Sequence, residues 1–581
     1  MRLPEDAAGR PPLYIPCSTT VTTVNPTGSW RYFRPLYRER TSPCSAACPT
    51  GQDIARIEML GAWGLYREAW QALLLENPFP AVCGRVCPHP CEGACNRSGF
   101  DQAVAVHALE RFLGDRFLNE AGTRDDSRAG GGRRVAVVGA GPAGLAAAWF
   151  LALLGHRCTL FESRPRPGGL LRCGIPAYRL PEAVAAAEIG RITGQEGIRL
   201  CCSQFVDAAA MDRLRSEYDA LVVAAGCSRP VAVGIPGEAL AEDGLAFLEQ
   251  VRAGGEVASP AGRVAVVGGG NTALDVARSL VRLGADPVIV YRRRRQDMPA
   301  FADEVDMAED EGVVLRELMA PVAIEALADG GGLCLHLQRM RVSGVTDGGR
   351  ARVVPEEGRV EQMHVQRVYS AVGAVGNPLF QPPLLDTAGD GLYNCRVLDD
   401  RPPVLAIGDL SARQRSVVHA VASGKEAAMA LDRWLACGRD AVGPALAACR
   451  VGPGPALSMA VYLERPNALR DRHVVAFDEV NHAYFTRSQR AVCQVLAPAD
   501  RRRHFNETEA TLEAASAAAE FLRCFNCGRC NACDNCRLFC PEMAVVVEKG
   551  RRRIDLDFCK GCGICVEECP RSAMAMEEEG T

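Results

Sequence analysis

The sequence has almost no net charge, few histidines and no recognisable export signal, and each absence excludes a class of protein. Its 66 basic and 70 acidic residues leave a formal charge of −4, so no overall field attracts nucleic acid or an anionic membrane. The N-terminus lacks a basic stretch followed by an apolar core, so we expect a cytoplasmic protein without extracellular disulfides. The nine histidines show no H-E-x-x-H or paired-ligand spacing, and no catalytic acid or base is predicted.

Long uncharged runs are also scarce. Residues 135–155 form one that is long enough to cross a bilayer, but it contains a nucleotide-binding motif, so we expect no membrane span. The chain has 581 residues against roughly 150 for one domain, so two to four structural units are expected.

Cysteine is abundant, with 27 residues, and most of them fall into two groups. Six lie between residues 44 and 95 and ten between residues 524 and 569. Grouped thiols in a reducing compartment indicate metal binding.

The C-terminal group repeats the spacing C-x2-C-x2-C-x3-C-P with an offset of 29 residues. This spacing is typical of two 4Fe-4S clusters in which the fourth cysteine of each run binds the other cluster. Paired zinc sites are the alternative, but they favour two pairs separated by a longer loop. Cys524 and Cys527 continue the spacing upstream and leave the register open. The predicted ligand sets are Cys530, Cys533, Cys536 and Cys569 for one cluster and Cys559, Cys562, Cys565 and Cys540 for the other.

A glycine-rich turn follows the apolar segment 135–138 and predicts a dinucleotide site. Gly139 permits the turn, Gly141 lets a pyrophosphate approach the backbone, and Gly144 lets helix pack on strand. Glu162 lies eighteen residues after Gly144, where a carboxylate accepts hydrogen bonds from a ribose. An FAD site is predicted here.

A second glycine turn predicts a second dinucleotide site, with Gly268, Gly270, Asn271 and Ala273 in the fingerprint positions. The next strand ends in Arg292, Arg293 and two further arginines rather than in an acid. Guanidinium groups pair with a 2′-phosphate, so NADP is favoured over NAD. Alternatively, some of these arginines are solvated surface charges.

Taken together, two such folds and a closing Gly408-Asp409 resemble the two-dinucleotide flavoprotein reductases. Three segments narrow the resemblance to the small subunit of glutamate synthase and its electron-transfer relatives over residues 40–440: GRVCPHPCEGAC (84–95), GGLLRCGIPAYRLP (168–181) and YRRRRQDMPA (291–300). With its added ferredoxin region, the chain is similar to the iron–sulfur flavoproteins that accompany dissimilatory sulfite reductase or similar redox complexes. The resemblance implies that Gly169 and Asp409 contact FAD.

The same resemblance implies 4Fe-4S clusters in the N-terminal region. It assigns Cys48, Cys87, Cys91 and Glu110 to one cluster and leaves Cys44, Cys83 and Cys95 for a second. The upstream C-x2-C pair of the family is absent, because Thr41-Ser42-Pro43 precedes Cys44. Buried structural thiols, with zinc or no metal, are the alternative.

The predicted fold class is α/β, with two nested Rossmann-like domains between an N-terminal helical iron–sulfur domain and a C-terminal α+β ferredoxin-like domain. The predicted units are an extended arm (1–40), the helical iron–sulfur domain (41–124), the first FAD-binding part (133–235), the NAD(P)-binding domain (236–375), the second FAD-binding part (376–437), a linker or cap (438–522) and the ferredoxin domain (523–581).

The predicted function is an NAD(P)H:acceptor oxidoreductase that exchanges electrons with a redox protein partner or a larger complex through FAD and 4Fe-4S clusters. Two alternatives remain: a glutamate synthase small subunit that serves a separate large subunit, and a non-catalytic electron-wiring subunit. The direction of electron flow and the oligomeric state are left open.

Overall fold

The N-terminal domain is a cluster of short helices, and its cysteines lie within these helices or next to them. Asp53 caps its second helix by accepting a hydrogen bond from the Arg56 N–H at 3.4 Å, and that helix buries Ile54 and Ile57. The structure is a computed structural model, and it describes residues 26–120, 132–255, 262–328, 331–345, 350–380, 392–411, 414–466, 468, 470–548 and 550–579. The first 25 residues of the predicted arm and the predicted boundary at residue 124 lie outside these ranges. The helices of the domain are Pro43–Ala47, Ile54–Ala62, Tyr66–Glu76, Pro80–Val86, Pro90–Gly93 and Val106–Arg116.

The second unit is a six-stranded sheet that draws on two distant parts of the chain. The strand Pro403–Ala406 pairs in parallel with Ala220–Val223, so segments on both sides of the next domain share one sheet. The uncharged residues 135–155 divide into a buried strand and a buried helix. In spatial order the strands are Arg396–Asp400, Pro403–Ala406, Ala220–Val223, Arg134–Val138, Arg157–Phe161 and Ile198–Cys201. In chain order the helices are Pro142–Leu153, Leu170–Cys173, Glu182–Thr193, Ala208–Glu217 and Val417–Cys437.

The third unit is a five-stranded parallel sheet with a three-stranded antiparallel sheet attached. A ribbon of Cys227–Pro230 and Ala374–Gly376 carries the chain out of the six-stranded sheet and back. In spatial order the parallel strands are Val314–Glu317, Ala285–Tyr291, Gly262–Val267, Arg367–Ser370 and Glu242–Asp243. The antiparallel strands are Met319–Ala326, Leu333–Val345 and Ala351–Val365. In chain order the helices are Gly244–Arg252, Asn271–Arg282 and Ala302–Asp310.

Residues 438–522, interpreted from the sequence as a linker or cap, pack along the N-terminal domain. The last helix of this segment begins at Ala514, because the preceding backbone bonds elsewhere. The Thr508 N–H donates to the Tyr178 carbonyl at 3.0 Å, and the Thr508 carbonyl accepts from the Leu496 N–H at 2.9 Å. The elements here are the helices Val442–Ala448, Met459–Tyr462, Pro498–Arg501 and Ala514–Arg523 and the strand Asp471–Val474, which pairs with Arg40–Thr41.

The C-terminal unit has a strand that is contributed by the N-terminal arm. Phe33–Tyr37 pairs antiparallel with Met574–Glu578, so the described part of the arm belongs structurally to the ferredoxin region. The other elements are the hairpin Val545–Glu548 and Arg551–Ile554 and the helices Asn535–Leu538 and Ile564–Glu567. Among the described residues, no helix combines the length and apolar character that a bilayer crossing requires.

Candidate cofactor sites

The first glycine turn leaves room for a ligand only on the side of Gly141. Gly139 has φ of +101°, and a Cβ on Gly144 would lie 1.9 Å from the Gly139 carbonyl oxygen. A Cβ on Gly141 would meet only the Gly169 Cα, at 4.0 Å. Gly141 also precedes the helix Pro142–Leu153, whose first N–H groups are free to bind an anion. The turn therefore fits a pyrophosphate.

Glu162 stands beside this turn at the end of the next strand. Its carboxylate accepts hydrogen bonds from the backbone N–H groups of Ala140 and Arg164, both at 2.9 Å. The side chain is buried but lines the same cleft as Gly139 and Gly141. Its carboxylate can therefore accept a hydrogen bond from a ribose hydroxyl there.

Asp409 lines the same cleft, from the turn after the strand Pro403–Ala406. Its carbonyl oxygen accepts a hydrogen bond from the Cys227 thiol at 3.3 Å, and the Gly408 N–H donates to Ser423 Oγ at 2.9 Å. Burial raises the pKa of Asp409, and the nearby Arg415 guanidinium opposes that rise. The turn that carries Asp409 is therefore held rigidly at the cleft.

The cleft has a volume of about 410 Å³ and is shared by the two sheets. Gly139, Gly141, Glu162, Gly169 and Asp409 line it from the six-stranded side. From the other side it is lined by Asn271, Thr272, Asp275 and Phe301. Residues of both predicted dinucleotide sites thus face one space.

The second glycine turn is built as the first is, with one substitution. Gly268 has φ of +146°, and a Cβ there would lie 2.4 Å from the Ala371 carbonyl oxygen. Ala273 takes the third glycine position, fully buried against Gly268. A Cβ on Gly270 would meet nothing within 4 Å, so the backbone is open to a ligand before the helix Asn271–Arg282. The turn fits a second pyrophosphate.

The four arginines after the strand Ala285–Tyr291 differ in what they contact. Arg294 pairs with Asp297 at 2.8 Å, and Arg295 pairs with Asp306 and Glu309. Arg293 donates through Nε to the Ala351 carbonyl at 2.9 Å. Arg292 is exposed and has no ion-pair partner among the residues that the structure describes. The guanidinium groups free to meet a 2′-phosphate are therefore those of Arg292 and Arg293.

A buried ion pair joins the two sheets at the cleft. Arg179, in the loop before Glu182–Thr193, contacts Asp275 and Glu304, each at 2.9 Å. Burial raises the pKa of Asp275 to about 6, and the Arg179 charge opposes that rise. This contact was not predicted, because Arg179 and Asp275 are 96 residues apart in the sequence.

The eight cysteines of the repeated C-terminal motif come together as two sets of four around two separate cavities. Tyr37 lies at the first cavity and Pro35 at the second, both from the arm strand. The Tyr37 hydroxyl and Cys536 Sγ are hydrogen-bonded at 3.2 Å. The first cavity is lined by Cys530, Cys533, Cys536 and Cys569, and the second by Cys540, Cys559, Cys562 and Cys565.

Among the N-terminal residues, Cys48, Cys87, Cys91 and Glu110 are buried and lie within electrostatic reach of one another. Glu110 accepts hydrogen bonds from the Gln52 and Asn77 amides at 2.9 and 2.8 Å. Burial raises the pKa of Glu110 to about 7, against these two donors.

Cys83 lies beside this set rather than with Cys44 and Cys95. Its thiol faces Asn77 Oδ1 at 3.8 Å, and its nearest charged neighbours are Glu110 and Cys87. Cys44 and Cys95 lie instead near Cys524 and Cys527 of the C-terminal segment. Sequence spacing alone had left the role of Cys524 and Cys527 open.

The donor sets suit clusters better than single ions. In the part of the chain that the structure describes, no three His, Cys, Asp or Glu side chains converge closely enough to hold one metal ion. A 4Fe-4S cluster places its four ligands on four separate iron atoms and needs no such convergence. Each C-terminal set places four thiols around one cavity, which fits this requirement.

Comparison with known proteins agrees with this geometry. A family model described as pyridine nucleotide-disulphide oxidoreductase matches residues 133–424, about half of the chain. The chain belongs to this family. A model described as dihydropyrimidine dehydrogenase domain II, 4Fe-4S cluster, matches residues 37–122, and a 4Fe-4S binding domain model matches residues 552–575.

Several curated relatives share about a third of their residues with this member of the family. The NADP(+)-dependent formate dehydrogenase subunit beta of Moorella thermoacetica is 32% identical over 523 residues, which cover 84% of this chain and 71% of the relative. The NADPH-Fe(3+) oxidoreductase subunit beta of Geobacter sulfurreducens is 32% identical and covers 69% of this chain and 64% of its own length. The NAD-dependent dihydropyrimidine dehydrogenase subunit PreT of Salmonella typhimurium is 32% identical, with 68% and 91% covered.

The chain is therefore an NAD(P)H-dependent iron–sulfur flavoprotein oxidoreductase with FAD, NAD(P) and 4Fe-4S clusters as cofactors. The predictions of an enzyme and of these cofactors are confirmed. The chain spans 71% of the Moorella relative and 64% of the Geobacter relative. Within residues 133–424 no C-x2-C pair occurs, although the family is named for disulphide chemistry.

Proposed function

We propose that this chain is the NADPH-dependent subunit of a larger redox complex and exchanges electrons with a protein partner. One observation carries the proposal: a single cleft is lined both by Gly141 and Glu162 of the first fold and by Asn271 and Thr272 of the second. A nicotinamide and a flavin held by these two turns would share that cleft, in an arrangement of two nested dinucleotide-binding folds. When bound, the flavin accepts a hydride and releases single electrons, which the clusters carry one at a time.

The residues of the first fold hold FAD. Gly139, Gly141 and Gly144 shape the turn and leave the helix N–H groups for the pyrophosphate. Glu162 accepts a hydrogen bond from the ribose. Gly169 approaches the turn so closely that a Cβ on it would lie 3.0 Å from the Gly141 Cα. Asp409, which lines the same cleft, orients the remainder of the dinucleotide.

The residues of the second fold hold NADPH. Gly268, Gly270, Asn271 and Ala273 form its pyrophosphate turn. Asn271 is fixed there because its Oδ1 accepts a hydrogen bond from the Phe301 N–H at 3.1 Å. Arg292 and Arg293 favour the 2′-phosphate, since their charges are not neutralised by a carboxylate of the described chain.

The thiol sets hold the clusters. Both C-terminal sets supply four thiolates from two runs of the chain, as expected for a two-cluster ferredoxin. The N-terminal set supplies three thiolates and the buried Glu110, whose carboxyl group is held in place by the Gln52 and Asn77 amides.

The partner is a separate protein subunit. The relatives are named as subunits of formate, dihydropyrimidine and iron(III) oxidoreductases, so we infer that the acceptor site lies on another chain in a cytoplasmic complex. The motifs in residues 84–95, 168–181 and 291–300 favour the glutamate synthase small-subunit type, joined to a ferredoxin region as in sulfite reductase-associated flavoproteins. Electron flow in either direction is compatible with this assignment.

The test is an anaerobic titration of the purified chain after FAD, iron and sulfide are quantified. NADPH is expected to bleach both the flavin and the cluster absorption bands, and NADH to do so only at higher concentration. Retained flavin that neither nucleotide bleaches would contradict the proposal. Cluster absorption without any FAD would favour a non-catalytic electron-wiring role.

A further inference from the structure

Cys524 and Cys527 form a C-x2-C pair that lies outside both matched iron–sulfur regions, residues 37–122 and 552–575. The pair follows directly on the helix Ala514–Arg523, and the Cys524 N–H caps that helix by donating to the Phe521 carbonyl at 3.3 Å. Cys527 is buried. A C-x2-C pair with one buried and one partly buried thiol needs an explanation, because no cofactor described above uses it.

The helix that carries the pair is docked on the N-terminal domain. Phe521 lies against Gly61 so closely that a Cβ there would be 2.3 Å from its ring. Glu520 accepts a hydrogen bond from the Ala105 N–H at 2.8 Å. The pair is thus held against residues that come more than 400 positions earlier in the sequence.

The loop between the two cysteines is anchored to the same domain. The Asn526 side chain donates to the Ala55 carbonyl at 2.9 Å, and the Gly528 carbonyl accepts from the Arg40 N–H at 2.9 Å. A Cβ on Gly528 would lie 2.4 Å from the Arg40 carbonyl oxygen, so the approach requires glycine. These contacts fix the positions of both thiols.

The thiols that the pair meets are Cys44 and Cys95. Cys44 belongs to one apolar cluster around Ile54 and Phe521, and Cys95 and Cys524 pack against it. Cys527 Sγ accepts a hydrogen bond at 3.5 Å from the side chain of Asn96, the residue after Cys95.

Electrostatics agrees with this grouping. Burial raises the pKa of Cys44, and the charges of Cys95 and Cys527 raise it further. Burial likewise raises the pKa of Cys524, with Glu58 and Cys44 as the next causes. Cys44 and Cys527 are buried and Cys95 and Cys524 are partly buried, so four thiolates here are unfavourable unless a cation compensates their charge.

We propose that Cys44, Cys95, Cys524 and Cys527 bind a further 4Fe-4S cluster whose ligands come equally from the N-terminal domain and from the segment before the ferredoxin region. This replaces the expectation that Cys44 and Cys95 share a cluster with Cys83. The chain has no C-x2-C pair upstream of Cys44, and Cys524 and Cys527 supply one from its other end. The site adjoins both neighbouring sets, because Cys44 is near Cys91 of the Glu110 set and Cys527 precedes Cys530 by three residues.

The existence of the site does not rest on the proposed function; only its role in electron transfer does. The test compares the C524A/C527A double variant with wild type and with C493A, all purified and reconstituted anaerobically. Cys493 packs against the same apolar cluster without belonging to the four thiols, so C493A controls for the loss of a half-buried thiol.

With four clusters, wild type and C493A are expected to hold about sixteen iron atoms per chain, and the double variant about twelve, with acid-labile sulfide falling equally. FAD content and flavin bleaching by NADPH should not change, and one EPR signal of the dithionite-reduced protein should disappear. Unchanged iron in the double variant, or zinc in wild type that the variant loses, would overturn the proposal. Failure of NADPH to bleach the flavin in C493A would instead count against the proposed function.

Should the double variant lose FAD and fail to fold, C527S replaces it, because serine keeps most of the thiol's volume. Loss or displacement of one EPR signal in C527S would then support the site. An EPR spectrum identical to that of wild type would overturn it.

Discussion

At the scale of single residues, ion pairing decides which guanidinium groups are available to a ligand. Arg295 is held by Asp306 and Glu309, whereas Arg292 is exposed without a carboxylate partner in the described chain. A hydrogen bond to a charged group contributes about 1.5–3 kcal/mol, and more when it is bidentate. We therefore expect the strand end to distinguish NADPH from NADH through Arg292 and Arg293.

We expect R292A to lower kcat/KM for NADPH by about 10- to 100-fold, because one charged contact to the 2′-phosphate is lost. The value for NADH should change by less than about threefold. Steady-state kinetics with both nucleotides measures this. R295A is the matched control and should leave the preference unchanged. Equal losses for both nucleotides in R292A would show that the arginine does not read the 2′-phosphate.

Tyr37 is a second residue whose effect is local. Its hydroxyl is hydrogen-bonded to Cys536 Sγ, and hydrogen bonds to cluster sulfurs contribute to the reduction potential. Y37F should therefore lower the potential of one C-terminal cluster while iron content stays the same. An EPR-monitored redox titration measures the shift. Tyr32, which is 82% exposed, provides the control Y32F, and a shift of equal size there would contradict the assignment.

At the scale of elements, the helix Ala514–Arg523 connects the ferredoxin region to the N-terminal domain. Phe521 is fully buried and packs on the rings of Tyr66 and Phe112, with centroids 5.9 and 6.4 Å away. Leu522, next to it, is 69% exposed. The buried face of this short helix therefore provides the contacts that dock it on the N-terminal domain.

F521A is expected to lower the free energy of unfolding by about 3–5 kcal/mol, since a buried aromatic side chain leaves a cavity. L522A should change it by no more than about 0.5 kcal/mol. Thermal melting and limited proteolysis of the 502–528 region compare the two variants. Similar melting temperatures for both would show that the helix is not docked through Phe521.

The sequence predicted this element less well than the motifs. The glycine turns and the repeated C-terminal cysteines are encoded within about 40 residues each, so spacing alone predicts which residues come together. The start of the helix at Ala514 and the strand Phe33–Tyr37 depend on partners hundreds of residues away, which periodicity does not encode. Cys524 was visible as part of a C-x2-C pair, but its proximity to Cys44 required the tertiary structure.

At the scale of the whole molecule, one buried lysine joins three units. Lys425, in the helix Val417–Cys437, pairs with Glu76 of the N-terminal domain. Glu76 also accepts hydrogen bonds from Ser458 Oγ at 2.7 Å and from the Met459 N–H at 2.8 Å, both in residues 438–522. The FAD-binding unit, the iron–sulfur domain and the cap thus share one buried charge pair.

K425M should lower the free energy of unfolding by about 3 kcal/mol, because removing one partner leaves a buried carboxylate without its counter-charge. The estimate is at the lower end of the usual range because Glu76 keeps its other donors. K560M is the control, since Lys560 forms a partly exposed pair with Glu542 worth at most about 1 kcal/mol. Thermal melting followed by circular dichroism distinguishes them. Equal small effects would mean that the Glu76 pair does not stabilise the assembly of the three units.

The central claim is that nicotinamide and flavin meet in the cleft between Glu162 and Asn271, so that electrons enter the chain as a hydride. Anaerobic stopped-flow mixing with NADPH, and with NADPH deuterated at the transferred position, tests it most directly. We predict that the flavin band bleaches first and more slowly with the deuterated nucleotide, and that the cluster bands follow. Cluster bleaching that precedes the flavin, or a flavin that NADPH does not bleach at all, would contradict the account.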